Sequence, residues 1–271
     1  MIAVVFSGPS LPPSKAPAHP SFEWRPPVRQ GDVYRAAQSR PALIGIIDGY
    51  FETVATVWHK EILWAMAQGI HVYGAASIGA LRAAELADFG MWGIGSIYHQ
   101  FYSGALADDD EIAVLHGPKE VEYIQVTDAM VNVRATIARA LELELITPPV
   151  ATTLLAIAKS LFYKDRTYEA MLSAAKAQGM SRDSLCRFAH WLPHGQIDQK
   201  RLDAIEMIAA MTEHLSNGIS PIKVAYQMAH TFAWEFACRC SENILSPPST
   251  TSFAAPGELR ASVGQKQGGS R

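Results

Sequence analysis

Ser77 lies in the stretch IHVYGAASIGALRAAEL, residues 70–86, where a short apolar run ends at Gly74, turns through small residues and enters a helix-prone segment. A strand that turns sharply into a helix presents its turn hydroxyl beside backbone N–H groups that have no helical acceptor. Such donors can hold an anion or stabilise a developing oxyanion, and the hydroxyl is a candidate nucleophile for acyl transfer. The N–H of Ile78 or Gly79 offers one donor, and the loop from Ser7 through Gly8 to Ser10 offers another. The strict nucleophile elbow is Gly-x-Ser-x-Gly; Gly79 is in place, but Ala75 stands where the first glycine belongs. The same residues equally describe a small-residue turn that lets a helix lie close to a sheet.

A serine nucleophile needs a base. His59-Lys60-Glu61 concentrates three titratable side chains in a mostly apolar segment. His59 has a suitable intrinsic pKa, and a desolvated Lys60 could act in the same way. His116, before Gly117-Pro118, is a further candidate. Each has a plainer reading as a solvent-facing or structurally satisfied side chain. Asp48, in Asp48-Gly49-Tyr50, could orient a base, hold a water or cap a helix. Arg82 is placed to bind an anion or to pair with Glu85, and Arg134 to hold an anionic substrate or a carboxylate. Asp108-Asp109-Asp110-Glu111 could supply oxygen ligands to Mg²⁺, though an exposed acidic loop is the plainer account.

These residues need a scaffold. Three apolar runs, 2–6, 42–47 and 70–73, lack polar alternation, as strands buried on both faces of a parallel sheet do. Each ends in turn-forming residues: Ser7-Gly8-Pro9-Ser10, Asp48-Gly49-Tyr50 and Gly74-Ala75-Ala76-Ser77. Ligands in open α/β sheets sit outside the carboxyl ends of the strands, so Ser7, Ser10, Asp48, Tyr50 and Ser77 should converge on one crevice. The fold class is therefore α/β, a mostly parallel N-terminal sheet flanked by helices, with a helical C-terminal portion. The Pro-rich passage 11–28 should be an extended connection, and 51–68 a helix ended by Gly69. Glu61 falls on that helix's apolar stripe and so needs a partner or a raised pKa. Residues 112–115 and 123–126 are further strand candidates. Helices are expected over 128–143, with Thr127 as N-cap, and over 150–163, 167–178, 202–215 and 222–240, with another capped by Ser181. These divide the chain into a core at 1–146, a helical portion at 147–242 and a low-hydrophobicity tail at 243–271, expected to be disordered.

Composition narrows the classes. Of 271 residues, 49% are hydrophobic, enough for a sizeable core, and the net charge of −3 argues against general electrostatic binding of nucleic acid. No run reaches the roughly 18 apolar residues of a membrane span, and MIAVVFSG reads as a first strand rather than a signal peptide. Cys186, Cys238 and Cys240 cannot all pair, which suits a reduced, cytoplasmic protein with buried thiols. No Walker A motif, dinucleotide fingerprint or metal-ligand pattern is present, so no cofactor and no metal is expected.

Several blocks together resemble the TfuA-like proteins. They are FSGPSLPP at 6–13, PPVRQGD at 26–32, IIDGYFE at 46–52, WHKEIL at 58–63, residues 74–86, the acidic run at 108–111 and HGP at 116–118. The resemblance implies work beside a YcaO enzyme, which activates a backbone amide with ATP while a sulfur nucleophile completes a thioamide. The implied role is release of sulfide from a thiocarboxylated, ThiS-like carrier during modification of a precursor peptide. ATP would then belong to the YcaO partner. On this reading Ser77 attacks the thiocarboxylate, His59 or Lys60 accepts its proton, Asp48 orients the base and Arg82 contacts the anion. A non-catalytic activator or scaffold of the YcaO enzyme is the alternative.

Overall fold

The computed structural model describes residues 2–52 and 54–243. The expected tail therefore lies, apart from its first residue, outside the described residues. Five parallel strands form one sheet: β1 (Ala3–Phe6), β2 (Phe22–Arg25), β3 (Leu43–Ile46), β4 (His71–Gly74) and β5 (Trp92–Gly93). Their order is β2-β1-β3-β4-β5, with Val4 opposite Glu23 on one side and Ile44 on the other. The chain moves outward from β1 to β2, then crosses back to β3 on the far side. The loops after β1 and β3 thus diverge at a switch point, where such sheets form a crevice.

Successive side chains of the strands face opposite layers. Val4, Phe6, Ile44, Ile46 and Val72 pack with α1 (Asp32–Gln38), α2 (His59–Ala67) and α3 (Ile78–Leu86). Ala3, Val5, Leu43 and Tyr73 pack with Ala204, Met207, Ile208 and Met211 of α9 (Gln199–Ser216). Between α3 and α9 come α4 (Ser96–Tyr102), α5 (Met130–Glu142), α6 (Pro148–Ser160), α7 (Tyr168–Ala177) and α8 (Arg182–Gly195). Helices α5 to α8 share a second core, and α10 (Phe232–Asn243) packs on α1. Side chains from both sides of residue 146 share these cores. No helix among the described residues is long and apolar enough to cross a membrane.

Several elements depart from expectation for local reasons. The Pro-rich passage contains edge strand β2, whose Glu23 is exposed, so it lacks the apolar signature of an inner strand. Helix α2 begins only at His59, because the Glu61 carboxylate accepts the Trp58 N–H at 3.2 Å and caps the helix there. Residues 112–115 and 123–126 form no strands; one antiparallel bridge, His116 to Gln125, joins the two stretches. The Thr127 hydroxyl accepts from Leu115 N at 2.8 Å instead of capping α5, whose N-cap is Ala129. Ser181 is the N-cap of α8, but its side chain makes no capping bond. The stretch before α10 is irregular because it is tied to α2, with Ile222 N donating to Gly69 O at 3.1 Å and Tyr226 OH to Leu63 O at 2.7 Å. Cys186 and Cys240 are exposed and Cys238 is half-buried, all free, so these thiols do not fill the core.

Candidate active site

The three strand-end loops converge as expected, and Asp48 joins two of them. Its buried carboxylate accepts the N–H groups of Gly8 at 3.0 Å and Ser10 at 2.9 Å on Oδ2, and the Ser10 hydroxyl at 2.6 Å on Oδ1. The Ser7 hydroxyl donates to the Leu11 carbonyl. The donors of the Ser7–Ser10 loop are thereby engaged, and none is left for an oxyanion. Asp48 fixes the β1 loop and makes no hydrogen bond to a candidate base among the described residues.

The turn after β4 is tight. Ala75 N donates to Ile46 O at 3.1 Å, Ala76 takes a left-handed φ of 66°, and Ser77 N donates back to Ala75 O at 2.7 Å. A non-glycine residue held left-handed costs about 1–3 kcal/mol, and such strain gathers at functional turns. Gly79 is needed for close approach, since a Cβ there would stand 1.8 Å from the Ile46 carbonyl oxygen. Its N–H donates to Ile47 O at 3.3 Å, so Gly79 is not an oxyanion donor. The N–H of Ile78, immediately after Ser77, and that of Gly49 have no acceptor among the described residues. A Cβ on Gly49 would stand 2.8 Å from Ile78 Cγ2, which shows how closely the two residues approach. Ser77 itself is only 7% exposed, and its hydroxyl does not cap α3.

Ser77 opens onto a cleft of about 840 Å³, whose walls include Asp48, Tyr50, Arg82, His116 and Lys200. His59 and Lys60 lie outside it. The His59 ring pairs with Glu85 at 2.7 Å, and Lys60 Nζ donates to Thr231 Oγ1 at 3.0 Å, both at exposed positions. Neither lines the wall that holds Ser77, and neither bonds to Ser77 among the described residues. Arg82 donates from Nε to Val57 O at 3.2 Å and from Nη1 to Glu85 at 2.6 Å. Burial would push the Glu85 carboxyl up, but His59 and Arg82 hold it below its ordinary value. His116 keeps a place in the cleft wall, its Nδ1 bonded to Gly117 O at 2.7 Å. A carbonyl only accepts, so Nδ1 carries the hydrogen and Nε2 the lone pair.

Arg134 stands apart from the cleft. It clamps the buried Glu111 with two 2.8 Å bonds. Lys159 bonds Asp108 at 3.0 Å, Glu111 at 2.9 Å and Asp110 as well, while Arg166 donates to Asp110 at 2.6 Å. The oxygens of Asp108, Asp110 and Glu111 lie close enough to hold a cation. The Lys159 ammonium takes that position, so the acidic run is a neutralised network.

Lys200 is the site residue that sequence reasoning missed. It is fully buried at the start of α9, its N–H donating to Asn132 Oδ1 at 3.1 Å and its Nζ to Ile112 O at 2.8 Å. Burial pushes its pKa down, against the opposing pull of Asp48 and Asp198. A signal existed: Lys200, Ala204, Met207 and Met211 form one buried helical stripe, on which a lysine is out of place.

A buried serine at the sheet's carboxyl edge, beside unbonded backbone donors, is an arrangement able to hold a carbonyl oxygen or an anion. Residues 48–167 match the family described as TfuA-like protein, so the chain is similar to that family over this stretch. The match includes Asp48, Ser77, His116 and Arg134, and excludes β1 and Lys200. No curated protein matches the chain.

Proposed function

We propose that this chain works beside a YcaO enzyme and hydrolyses the thiocarboxylated C terminus of a ThiS-like carrier, supplying sulfide for a backbone thioamide in a precursor peptide. The observation that carries this reading is Ser77 at the cleft, flanked by the unbonded N–H groups of Ile78 and Gly49. A thiocarboxylate carbon attacked by the Ser77 oxygen places negative charge on its oxygen, which those two donors stabilise. Arg82 uses Nε and Nη1 within the fold and keeps Nη2 for the anionic sulfur. Tyr50 and His116 line the path of the carrier's tail. The reaction needs no cofactor of the chain's own, and ATP is consumed by the YcaO partner.

The test mixes purified protein with a thiocarboxylated ThiS-like carrier and follows sulfide and carrier mass. Wild type should convert thiocarboxylate to carboxylate, and Ser77→Ala should lose about 10³-fold or more in rate. Full activity in Ser77→Ala overturns the serine mechanism. Acceleration of the YcaO reaction without any sulfide release favours the activator alternative.

A further inference from the structure

We propose that the outward face of α10 is a docking surface for a second copy of this chain, whose own α10 lies antiparallel to the first across a two-fold axis. Among the described residues, α10 is held from one side. Trp234 is buried, with its ring centroid 5.7 Å from that of Tyr34 on α1 and 6.2 Å from that of Trp64 on α2. Two turns on, Ser241 is buried as well, and its carbonyl accepts from Arg35 Nη1 at 3.3 Å. The Tyr34 hydroxyl donates to Glu242 at 2.8 Å. These contacts fix how the helix is turned about its axis. At about 100° per residue, Phe232, Phe236 and Arg239 fall on the side opposite Trp234 and Ser241, with Glu235 and Cys240 at its borders. Phe232 is 77% exposed, more than any other large apolar side chain among the described residues, and Phe236 is 57% exposed.

A phenylalanine exposed alone is ordinary, but two on successive turns make an apolar stripe of the kind that helices bury. The charges beside the stripe select the occupant. Glu235 and Arg239 are exposed and make no ion pair among the described residues. They stand four residues apart along one edge of the stripe. A two-fold axis crossing the helix pair near Ala237 brings Glu235 of each copy level with Arg239 of the other, so two ion pairs form at once. The same axis sets the two Phe236 rings about 3 Å apart along the helices, close enough to stack, and puts Phe232 beside Cys240 of the other copy. A patch that supplies its own complement under a two-fold is the isologous interface of a C2 dimer. A lipid surface fits less well, because helices that lie in a membrane interface carry lysine and arginine along the polar flank. Here Arg239 is the one cation between Phe232 and Asn243, against Glu235 and Glu242.

One helix against its copy buries little area, which makes the dimer reversible, with a Kd on the order of 10 μM. None of residues 232–243 lines the cleft that holds Ser77, so the pairing face and the cleft are separate and the inference stands apart from the hydrolase reading.

The experiment follows the full chain by sedimentation velocity over concentrations about tenfold either side of that Kd. Wild type should pass from monomer to dimer, and Phe236→Glu should remain monomeric. Glu235→Arg and Arg239→Glu should each weaken the dimer about tenfold or more, since each places like charges opposite one another. The double variant Glu235→Arg/Arg239→Glu exchanges both signs together and should restore it. All these positions face outward, and circular dichroism checks that the variants fold. For the register, Phe232→Cys is oxidised and the disulfides are mapped. Within one helix that position is about 12 Å from Cys240, beyond the reach of a disulfide, so a bond between them joins two copies. Wild type that stays monomeric throughout, a dimer that survives Phe236→Glu, or a double variant as weak as the single ones overturns the proposal. So does a dimer of Phe232→Cys that forms no disulfide to Cys240, or a chain that binds phosphatidylserine vesicles and does not dimerise.

Discussion

Ser10 donates to Asp48 twice, through its N–H to Oδ2 at 2.9 Å and through its hydroxyl to Oδ1 at 2.6 Å, across 38 residues of sequence. With the Gly8 N–H on Oδ2 as well, one buried carboxylate shapes the whole β1 loop. Asp48→Ala leaves two buried N–H groups without an acceptor and should destabilise the fold by about 3 kcal/mol. Asp48→Asn keeps one oxygen for those N–H groups and should cost about 1 kcal/mol. Urea midpoints at constant slope measure both. A midpoint for the alanine variant equal to wild type would contradict the anchoring role.

Gly79 sets how closely α3 approaches the sheet. A methyl group there must push against the Ile46 carbonyl oxygen, a backbone atom of an inner strand that cannot swing aside. Gly79→Ala should therefore lower stability by about 3 kcal/mol or more and reduce soluble yield. The comparison is Gly104→Ala, where a Cβ meets no atom within 4 Å and only the left-handed φ of 75° resists it. A Gly79→Ala protein as stable as Gly104→Ala would contradict the close approach.

The inner strands were legible because Val4–Phe6, Leu43–Ile46 and Val72–Tyr73 are apolar on both faces, and so the crevice at their ends was legible too. Strand β2 was not, because Phe22-Glu23-Trp24-Arg25 alternates along an edge amid prolines. Ser77 could be placed from its turn, yet its donors could not. Which amides stay free depends on Asp48 reaching Gly8 and Ser10, and on Gly79 reaching Ile47, both long-range bonds. His59 and Lys60 were candidates by residue type alone, and the sequence left their direction open. The Glu61 cap starts α2 at His59, and both side chains bond at exposed positions, to Glu85 and Thr231.

Glu61 and Glu111 should give opposite pH dependences. Burial pushes Glu61 above its ordinary 4.5, despite bonds from the N–H groups of Gly31, Trp58 and Tyr34. A raised carboxyl makes a contribution fully present below 4.5 that is lost as pH rises through the folded value. Burial would also raise Glu111, but Arg134 and Lys159 hold it below 4.5. Its contribution is present above 4.5 and lost as pH falls through the folded value. Relative to wild type, Glu61→Gln should therefore improve as pH rises from 4 toward 7. Glu111→Gln should be most damaging at neutral pH and approach wild type in acid. Urea midpoints at each pH test both signs, and matching trends for the two variants would contradict the assignment.

His59 and Lys60 provide the control for the cleft. The His59 ring is engaged with Glu85 at 2.7 Å and Lys60 with Thr231 at 3.0 Å, and neither lines the wall that holds Ser77. His59→Gln and Lys60→Met should each leave sulfide release within about threefold of wild type, since surface changes rarely exceed 0.5 kcal/mol. Glu85→Gln weakens the only side-chain partner of Arg82 among the described residues and should act differently. With Nη1 held less firmly, the guanidinium loses its fixed orientation at the cleft wall, and KM for the thiocarboxylated carrier should rise with kcat little changed. Steady-state kinetics of the three variants separate these outcomes. A large loss of kcat in His59→Gln or Lys60→Met would place the base on α2 rather than in the wall that holds Ser77.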